Sequence, residues 1–299
     1  MKYLPEGRNG GCPVCRHDLI RAAEERRICE GIALLCDREH NIIVDLGFMR
    51  GIIPRAEGAY SATGEVRDIA VISRVGKPVC FTVTDIVTDV AGGEYALLSR
   101  REAMRICAEN FISHLRPGDV VDGRVTRPDN FGAFVDIGCG TVALMPIDAI
   151  SVSRIPHPSE RFRSGQDIRA VIAAVDNGRI TLSHRELLGT WEENAAEFEA
   201  GQTVSGIVRS VERYGVFVEL APNLAGLAEP NDCIVPGCRV SVYIKSIIPE
   251  KMKIKLVIID RLPPAAEPCG FSYRDTDHIS RWRYSPPECV KLIETVYEE

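Results

Sequence analysis

The sequence predicts an all-β dominated protein built from three tandem five-stranded β-barrels that are joined by short α-helical linkers. An internal repeat is the first observation behind this prediction, because segment 118–138 recurs in 201–220, 83 residues further along the chain. In both copies an alternating apolar run, with glycines five residues apart, is followed by an aromatic residue, Gly, any residue, Phe, Val and an acid. This pattern predicts two strands that are joined by a short turn.

Further apolar runs supply the remaining strands. They are predicted at residues 166–175 and 179–183 in the second copy and at 238–247 and 251–260 in the third. Five short strands per copy are typical of a small closed barrel. Gly92-Gly93 and Asn177-Gly178 stand at the last turns of the first two copies, where a tight hairpin needs a positive φ, and Pro249-Glu250 takes this place in the third.

A fainter copy begins near residue 29. Its residues Gly31, Val44, Asp45 and Gly47 take the positions of Gly123, Val135, Asp136 and Gly138. Two capping boxes, Ser99 with Glu102 and Thr190 with Glu193, predict the helices between the copies. Trp191 belongs to the apolar stripe of the second helix, so it is expected to be a core anchor between barrels rather than a stacking platform.

These elements predict seven segments. They are an N-terminal extension (1–28), a first, degenerate domain (29–103), a linker helix (104–117), a second domain (118–186), a second linker helix (187–200), a third domain (201–261) and a C-terminal tail (262–299).

Composition narrows the class of protein. The hydrophobic fraction of 45% is that of a globular chain, and no apolar run approaches the roughly 20 residues of a membrane span, so no membrane partner is expected. The N-terminus lacks the apolar stretch of a secretory signal, which predicts a cytoplasmic location. The net charge of −6 arises mainly in residues 187–200 (−4) and 262–299 (−3), whereas residues 201–261 carry +2.

The motifs of the three copies resemble the RNA-binding domain named after ribosomal protein S1, which is an OB-fold barrel. The second copy carries Gly-x-Val-x-x-Gly-x-Val from Gly118, then Phe131–Asp136, then Asp176–Ser183, and the resemblance extends over residues 29–260. It implies a non-catalytic protein that binds single-stranded RNA, with the ribosome as a further partner. In this family the early domains tend toward protein contacts and the later ones toward RNA. A histidine that is frequent after the third strand of this family is replaced by Pro54, Pro146 and Glu229.

Aromatic residues supply the expected stacking surfaces for bases. They are Phe131 and Phe134 in the second copy and Tyr214 and Phe217 in the third. Residues three apart on a regular strand face opposite ways, so a turn or bulge at the intervening glycine is needed to bring both rings outward. Phe134 and Phe217 have a core position as the alternative. The first copy has His40 and Ile43 at these positions, which predicts weaker RNA binding there.

Cations in the third copy are expected to contact phosphates. Lys251, Lys253 and Lys255 alternate with apolar residues, which predicts one shared strand face, and a solvated edge face is the alternative. Arg209, Arg213 and Lys245 add to this basic segment. In the second copy, Arg179 is a candidate for a phosphate and Asp176 for a ribose or base donor, with an exposed hairpin tip as the alternative.

Three further features leave alternatives open. Cys12 and Cys15 with His17 resemble one zinc-binding knuckle, but a second knuckle is absent. Cys29 and Cys36 are the alternative second pair, yet they fall in or near the first strand, so no metal and no cofactor is predicted. The tail motif Arg281–Tyr284 either extends the RNA path or docks on the last barrel as a clamp. The sequence contains no nucleotide loop, nucleophile motif or paired catalytic carboxylates, which disfavours an enzyme. A protein-interaction adaptor built from OB-fold barrels remains the alternative to an RNA-binding protein.

Overall fold

A computed structural model describes residues 3–61, 68–89, 92–176, 178–231, 233–264 and 270–297 of the chain. The strands form three closed five-stranded barrels and a separate two-stranded sheet. The predicted fold class is therefore confirmed.

The three barrels share one strand order. The first contains β1 (Cys29–Cys36), β2 (Ile42–Asp45), β3 (Arg50–Ile53), β4 (Pro78–Thr88) and β5 (Glu94–Ser99). The second contains β6 (Val120–Asp129), β7 (Gly132–Asp136), β8 (Val142–Pro146), β9 (Asp167–Asp176) and β10 (Arg179–Ser183). The third contains β11 (Thr203–Glu212), β12 (Gly215–Ala221), β13 (Leu224–Ala228), β14 (Arg239–Ile248) and β15 (Lys253–Leu262). In each barrel the third and fifth strands are neighbours, and the fourth closes the ring against the first.

Four helices accompany the barrels in the described residues. They are α1 (Arg16–Glu24), α2 (Ile69–Ile72), α3 (Arg100–Asn110) and α4 (Trp191–Ala195). The Ser99 hydroxyl accepts a 2.9 Å hydrogen bond from the Glu102 amide at the start of α3, and Thr190 and Glu193 form a complete reciprocal box before α4. No helix in the described part of the chain has the length and apolar character needed to cross a membrane.

The chain divides into two compact units. The first comprises residues 1–115, 122–124 and 135–143, and the second comprises residues 116–121, 125–134 and 144–299. Trp191 is buried in the core cluster that also contains the interior residues of the third barrel, which confirms its prediction as a core anchor.

In two barrels, the turn between the last two strands contains the positive-φ glycine that the sequence predicts. Gly92 and Gly178 have φ values of 86° and 76°, as the hairpins require, while Asn177 lies outside the described residues. In the third barrel Pro249–Lys251 form a 3₁₀ turn, after which Met252 adopts a left-handed φ of 47°.

The C-terminal tail packs within the second unit. Its two strands, β16 (Arg281–Arg283) and β17 (Glu294–Val296), pair antiparallel. Trp282 is only 1% exposed and joins the core cluster of the third barrel, while the Tyr284 hydroxyl donates a hydrogen bond to the Asn223 carbonyl. Of the two alternatives for the Arg281–Tyr284 motif, its aromatic residues therefore act as a clamp.

Candidate nucleic-acid interface

The second barrel presents an aromatic pair on its outer surface. Phe131 lies in the turn before β7 and is 54% exposed, whereas Phe134 lies on β7 and is half-buried. Their ring centroids are 5.7 Å apart and the rings are nearly perpendicular. Because Phe131 precedes the strand, the three-residue spacing no longer places the rings on opposite faces. Phe134 is thus an outer residue and not part of the core.

The third barrel repeats this arrangement. Tyr214 lies in the turn before β12 and is 66% exposed, and the centroid of the half-buried Phe217 ring is 6.1 Å away at an interplanar angle of 88°. The second and third barrels therefore each expose one ring largely to solvent, and a second ring packs against it in a T-shaped arrangement. Flat exposed rings of this kind accept nucleobases by stacking.

Glycine is required between the two rings because neighbouring strands approach closely there. A Cβ atom on Gly132 would lie 2.3 Å from the Met145 carbonyl oxygen, and one on Gly215 would lie 2.5 Å from the Ala228 carbonyl oxygen. Any side chain at these positions would push the second strand away from the third. The repeated aromatic-Gly motif therefore sets both the turn and the strand spacing that support the rings.

Strand register places a lysine in line with the third-barrel aromatic pair. Phe217 is paired with Leu227, and Leu227 is paired with Lys255. Directly paired residues project from the same face of a sheet, so these three side chains form one continuous outer row. Lys253 and Lys255 are both exposed and alternate with the buried Ile254 and Leu256.

Lys251 differs from the other two lysines. The prediction of a strand from residue 251 is wrong, because Pro249 has no amide hydrogen for the sheet ladder and starts a 3₁₀ turn that contains Lys251. The left-handed backbone of Met252 then interrupts the alternation. Lys251 remains exposed, but it belongs to the turn and does not share the strand face of Lys253 and Lys255.

Other basic residues near the third-barrel aromatic pair are either exposed or held in buried ion pairs. Arg213 is exposed beside Tyr214, and Lys245 is exposed on β14. Arg209, in contrast, has a side chain that is only 6% exposed and forms ion pairs with Glu219 at 2.7 Å and Glu160 at 3.0 Å. The expectation that Arg209 adds to a basic surface is therefore wrong, since the β11 bulge beside it and these carboxylates retain it in a buried network.

In the second barrel, Asp176 and Arg179 are exposed and directly opposed across the β9–β10 hairpin. Arg179 precedes Thr181 by two residues, so both project from one face, and Thr181 pairs with Leu144 of β8. Their roles toward RNA stay a prediction.

The first barrel has an aliphatic row where the third has its aromatic and cationic row. Register pairs Leu35 with Ile43, Ile43 with Ile52 and Ile52 with Leu97. His40 has a φ of 65°, and its Nδ1 lies 3.6 Å from an Asp68 carboxylate oxygen. The two positions that correspond to the ring pair thus carry one histidine beside a carboxylate and one isoleucine.

The acid that ends the repeated motif is structural in both barrels. Asp136 accepts hydrogen bonds from the amides of Glu6, Gly138 and Gly140, and its burial, together with the charge of Glu6, raises its pKa to about 7. Glu219, the equivalent residue, pairs with Arg161 and Arg209. Neither carboxylate is available to a ligand at the surface.

Sequence reasoning missed two residues of the candidate interface. The Arg127 guanidinium carbon lies 4.9 Å above the centroid of the Phe134 ring, a cation–π arrangement that the sequence signals only weakly. Tyr243 is exposed on β14 two residues before Lys245 and so projects from the same face. The alternating pattern of β14 contained this second signal.

Cys12 and Cys15 of the N-terminal extension differ in their exposure. Cys15 precedes α1 and is exposed, whereas Cys12 is partly buried, and burial raises the pKa of its thiol. In the part of the chain that the structure describes, no three His, Cys, Asp or Glu side chains are grouped closely enough to hold a metal ion.

Sequence comparisons show which known proteins this chain is similar to. Residues 114–185, which include the second barrel, match the family described as the S1 RNA binding domain. The chain is 30% identical over 240 residues to small ribosomal subunit protein bS1 of Staphylococcus aureus strain COL, which corresponds to 74% of this chain and 59% of that relative. It is also 30% identical over 233 residues to the bS1 protein of Leuconostoc lactis, covering 72% of this chain and 52% of the relative.

The predicted resemblance to the ribosomal protein S1 family is confirmed by these matches. The chain spans only 59% and 52% of the length of these two curated relatives. A solved multidomain protein with nucleic acid binding domains from Streptococcus pneumoniae TIGR4 is 17% identical, with a TM-score of 0.26 over 80% of this chain and 75% of that chain.

Proposed function

We propose that this chain binds single-stranded RNA, without a catalytic step, through the outer faces of its second and third barrels. The observation that carries the proposal is the repeated pair of perpendicular rings, Phe131 with Phe134 and Tyr214 with Phe217, each with its first ring exposed to solvent. In this function a base stacks on each exposed ring, which contributes on the order of 1 to 3 kcal/mol per base. Bases of any identity have a flat face, so little sequence preference is expected.

Phosphate contacts supply the second part of the binding energy. Lys253 and Lys255 project from one strand face at a spacing of roughly 6.6 Å, which suits successive phosphates of an extended strand. Lys255 lies in the same outer row as Phe217. The backbone of an RNA strand whose base stacks on the aromatic pair should therefore run past the lysines. Lys245, Lys251 and Arg213 are expected to extend this charged path. On the second barrel, Arg179 is expected to contact a phosphate and Asp176 to accept from a ribose or base donor.

The first barrel has a different task in this proposal. Its outer row is aliphatic and lacks both the ring pair and the lysines, which favours a protein contact or a spacer over RNA. The names of the bS1 relatives make the ribosome the expected partner for such a contact. The resemblance to the ribosomal protein S1 family makes mRNA the expected RNA. An adaptor that binds only proteins is the alternative, and RNA titration distinguishes the two.

The test is a titration of the purified chain with a fluorescent unstructured RNA at several salt concentrations. In single-strand binding, each phosphate contact contributes about 0.7 to the slope of log affinity against log salt concentration. Removal of one contact should therefore reduce the steepness of the slope by this amount. Lys253→Gln with Lys255→Gln should therefore flatten the slope by about 1.4. The matched control is Arg38→Gln with Lys77→Gln, which removes two exposed cations from the first barrel. Absence of affinity at low salt, or equal flattening by the control, would contradict the proposal.

A further inference from the structure

A cavity of about 570 Å³ lies in the second unit between the segment that follows β8 and the C-terminal tail. This volume is within the range of about 300 to 1,000 Å³ that accommodates small ligands or single ligand groups. Ile147 and Ile293 contribute apolar walls, while Arg154, Arg185 and Lys291 contribute three cations. Asp148 is the only acidic residue of its lining, so the cavity favours an anion.

Two of the three cations are free to contact a ligand. Arg154 and Lys291 are exposed, and among the described residues neither has an acidic partner within ion-pair distance. Arg185 is held in place instead: its Nε lies 3.2 Å from the Glu186 carboxylate, and its guanidinium lies 5.9 Å from the Trp282 ring centroid. The cavity thus combines one oriented guanidinium with two exposed cationic side chains at the surface.

The cavity adjoins the aromatic pair of the second barrel. The Ile147 amide in its wall donates a 3.0 Å hydrogen bond to the carbonyl of Phe131. A strand that leaves a base on the exposed Phe131 ring therefore has the Ile147 wall of the cavity next to the turn that carries this ring. The tail residue Lys291 completes the set of charges, which gives the tail a role besides the clamp formed by Trp282 and Tyr284.

We propose that this cavity is a phosphate-binding extension of the RNA interface. It receives the backbone phosphates of the nucleotides next to the base on Phe131, which contact Arg154, Arg185 and Lys291. The walls formed by Ile147 and Ile293 pack against the ribose or base of the same nucleotides, and the Asp148 carboxylate accepts from a ribose hydroxyl. The proposal rests on RNA binding by the second barrel, and it adds the tail as a part of the binding site.

The test compares the affinities of the full chain for two RNAs of different length. One RNA has about 4 nucleotides and the other about 12, because one OB-fold barrel covers roughly 4 to 16. Arg154→Ala with Lys291→Ala should weaken binding of the longer RNA by about 25-fold at about 0.1 M salt, the effect of two lost single-strand phosphate contacts, and should weaken the shorter RNA far less. The control, Arg116→Ala with Arg163→Ala, removes two exposed cations of the same unit that do not line the cavity.

The outcomes separate the cavity from the function as a whole. If the cavity variant binds the longer RNA like the parent, or if the control variant loses as much, the cavity is not part of the RNA path. If the cavity variant loses the same fraction of affinity for both RNA lengths, the cavity is not an extension of the aromatic face, and the inference is also wrong. A parent chain that binds neither RNA contradicts RNA binding itself. Thermal unfolding of the variants should match that of the parent, since Arg154 and Lys291 are exposed.

Discussion

Replacing Phe131 and Tyr214 together by alanine tests whether the exposed rings hold bases. The two side chains are 54% and 66% exposed, and both lie in turns rather than in strands, so their loss removes little buried surface. Each ring is expected to stack one base, which contributes on the order of 1 to 3 kcal/mol. The double variant should therefore lose at least about 2 kcal/mol of binding free energy, which is roughly a thirtyfold loss of affinity.

The assay is fluorescence anisotropy of a labelled unstructured RNA at matched salt, with the salt slope measured for each protein. The slope should stay unchanged in the double variant, because no cation is removed. Phe48→Ala is the matched control, since it removes a ring that is 38% exposed from the first barrel, where no second aromatic ring is packed against it in the described residues. The control should bind like the parent.

Two results would refute this reasoning. If the double variant binds RNA with the affinity of the parent at matched salt, the rings do not stack bases and the interface lies elsewhere. If the double variant unfolds, then the rings contribute to packing, contrary to their exposure. A small loss of stability is expected in either barrel, since the edge contacts with Phe134 and Phe217 contribute about 0.5 to 1.5 kcal/mol each.

Three further predictions concern the scaffold that supports the interface. Burial lowers the pKa of His184 to about 4, so the unfolded state binds the proton more strongly than the folded state. The free energy of unfolding should therefore fall by about 3 kcal/mol as the pH drops from 6.5 to about 4. His184→Gln should remove this pH dependence from the unfolding midpoints. Trp282→Ala should cost about 3 to 5 kcal/mol in denaturant unfolding, because the ring is 1% exposed, and an unchanged midpoint would contradict the clamp. Gly132→Ala should destabilise the chain by about 1 to 3 kcal/mol through overlap with the Met145 carbonyl. Gly270→Ala, whose Cβ would have no atom of the described residues within 4 Å, should have little effect on the melting temperature.

The sequence predicted the barrels well because their information is local and repeated. Alternation of apolar residues, a glycine at the start of the second strand and the two capping boxes are each local patterns of a few residues, and the repeat of the first two at a constant offset supported their interpretation. The ring pairs were predictable for the same reason. Their outward direction followed once the turn at Phe131 and Tyr214 was placed correctly.

The charges were less predictable because their state depends on distant residues. Arg209 and Arg213 look equivalent in the sequence, yet Glu160, which is 49 positions away, binds the first and leaves the second exposed. Lys251 was misplaced because a proline turn shifted the start of β15 by two residues. The cavity beside Phe131 includes Lys291 from the far end of the chain, and no local pattern links Lys291 to Arg154.

One strand order supports three different surfaces in this chain, because the side chains that differ are those that point outward. In all three barrels the strands place mostly aliphatic residues in the interior. The fold is therefore the same whether the outer row consists of Ile43, Ile52 and Leu97 or of Phe217, Leu227 and Lys255. Replacement of an exposed residue changes the free energy of unfolding little, whereas it changes what the surface binds. Duplicated barrels of this kind can therefore acquire separate partners while they keep one architecture, and the aromatic and cationic rows identify the barrels that are expected to hold RNA.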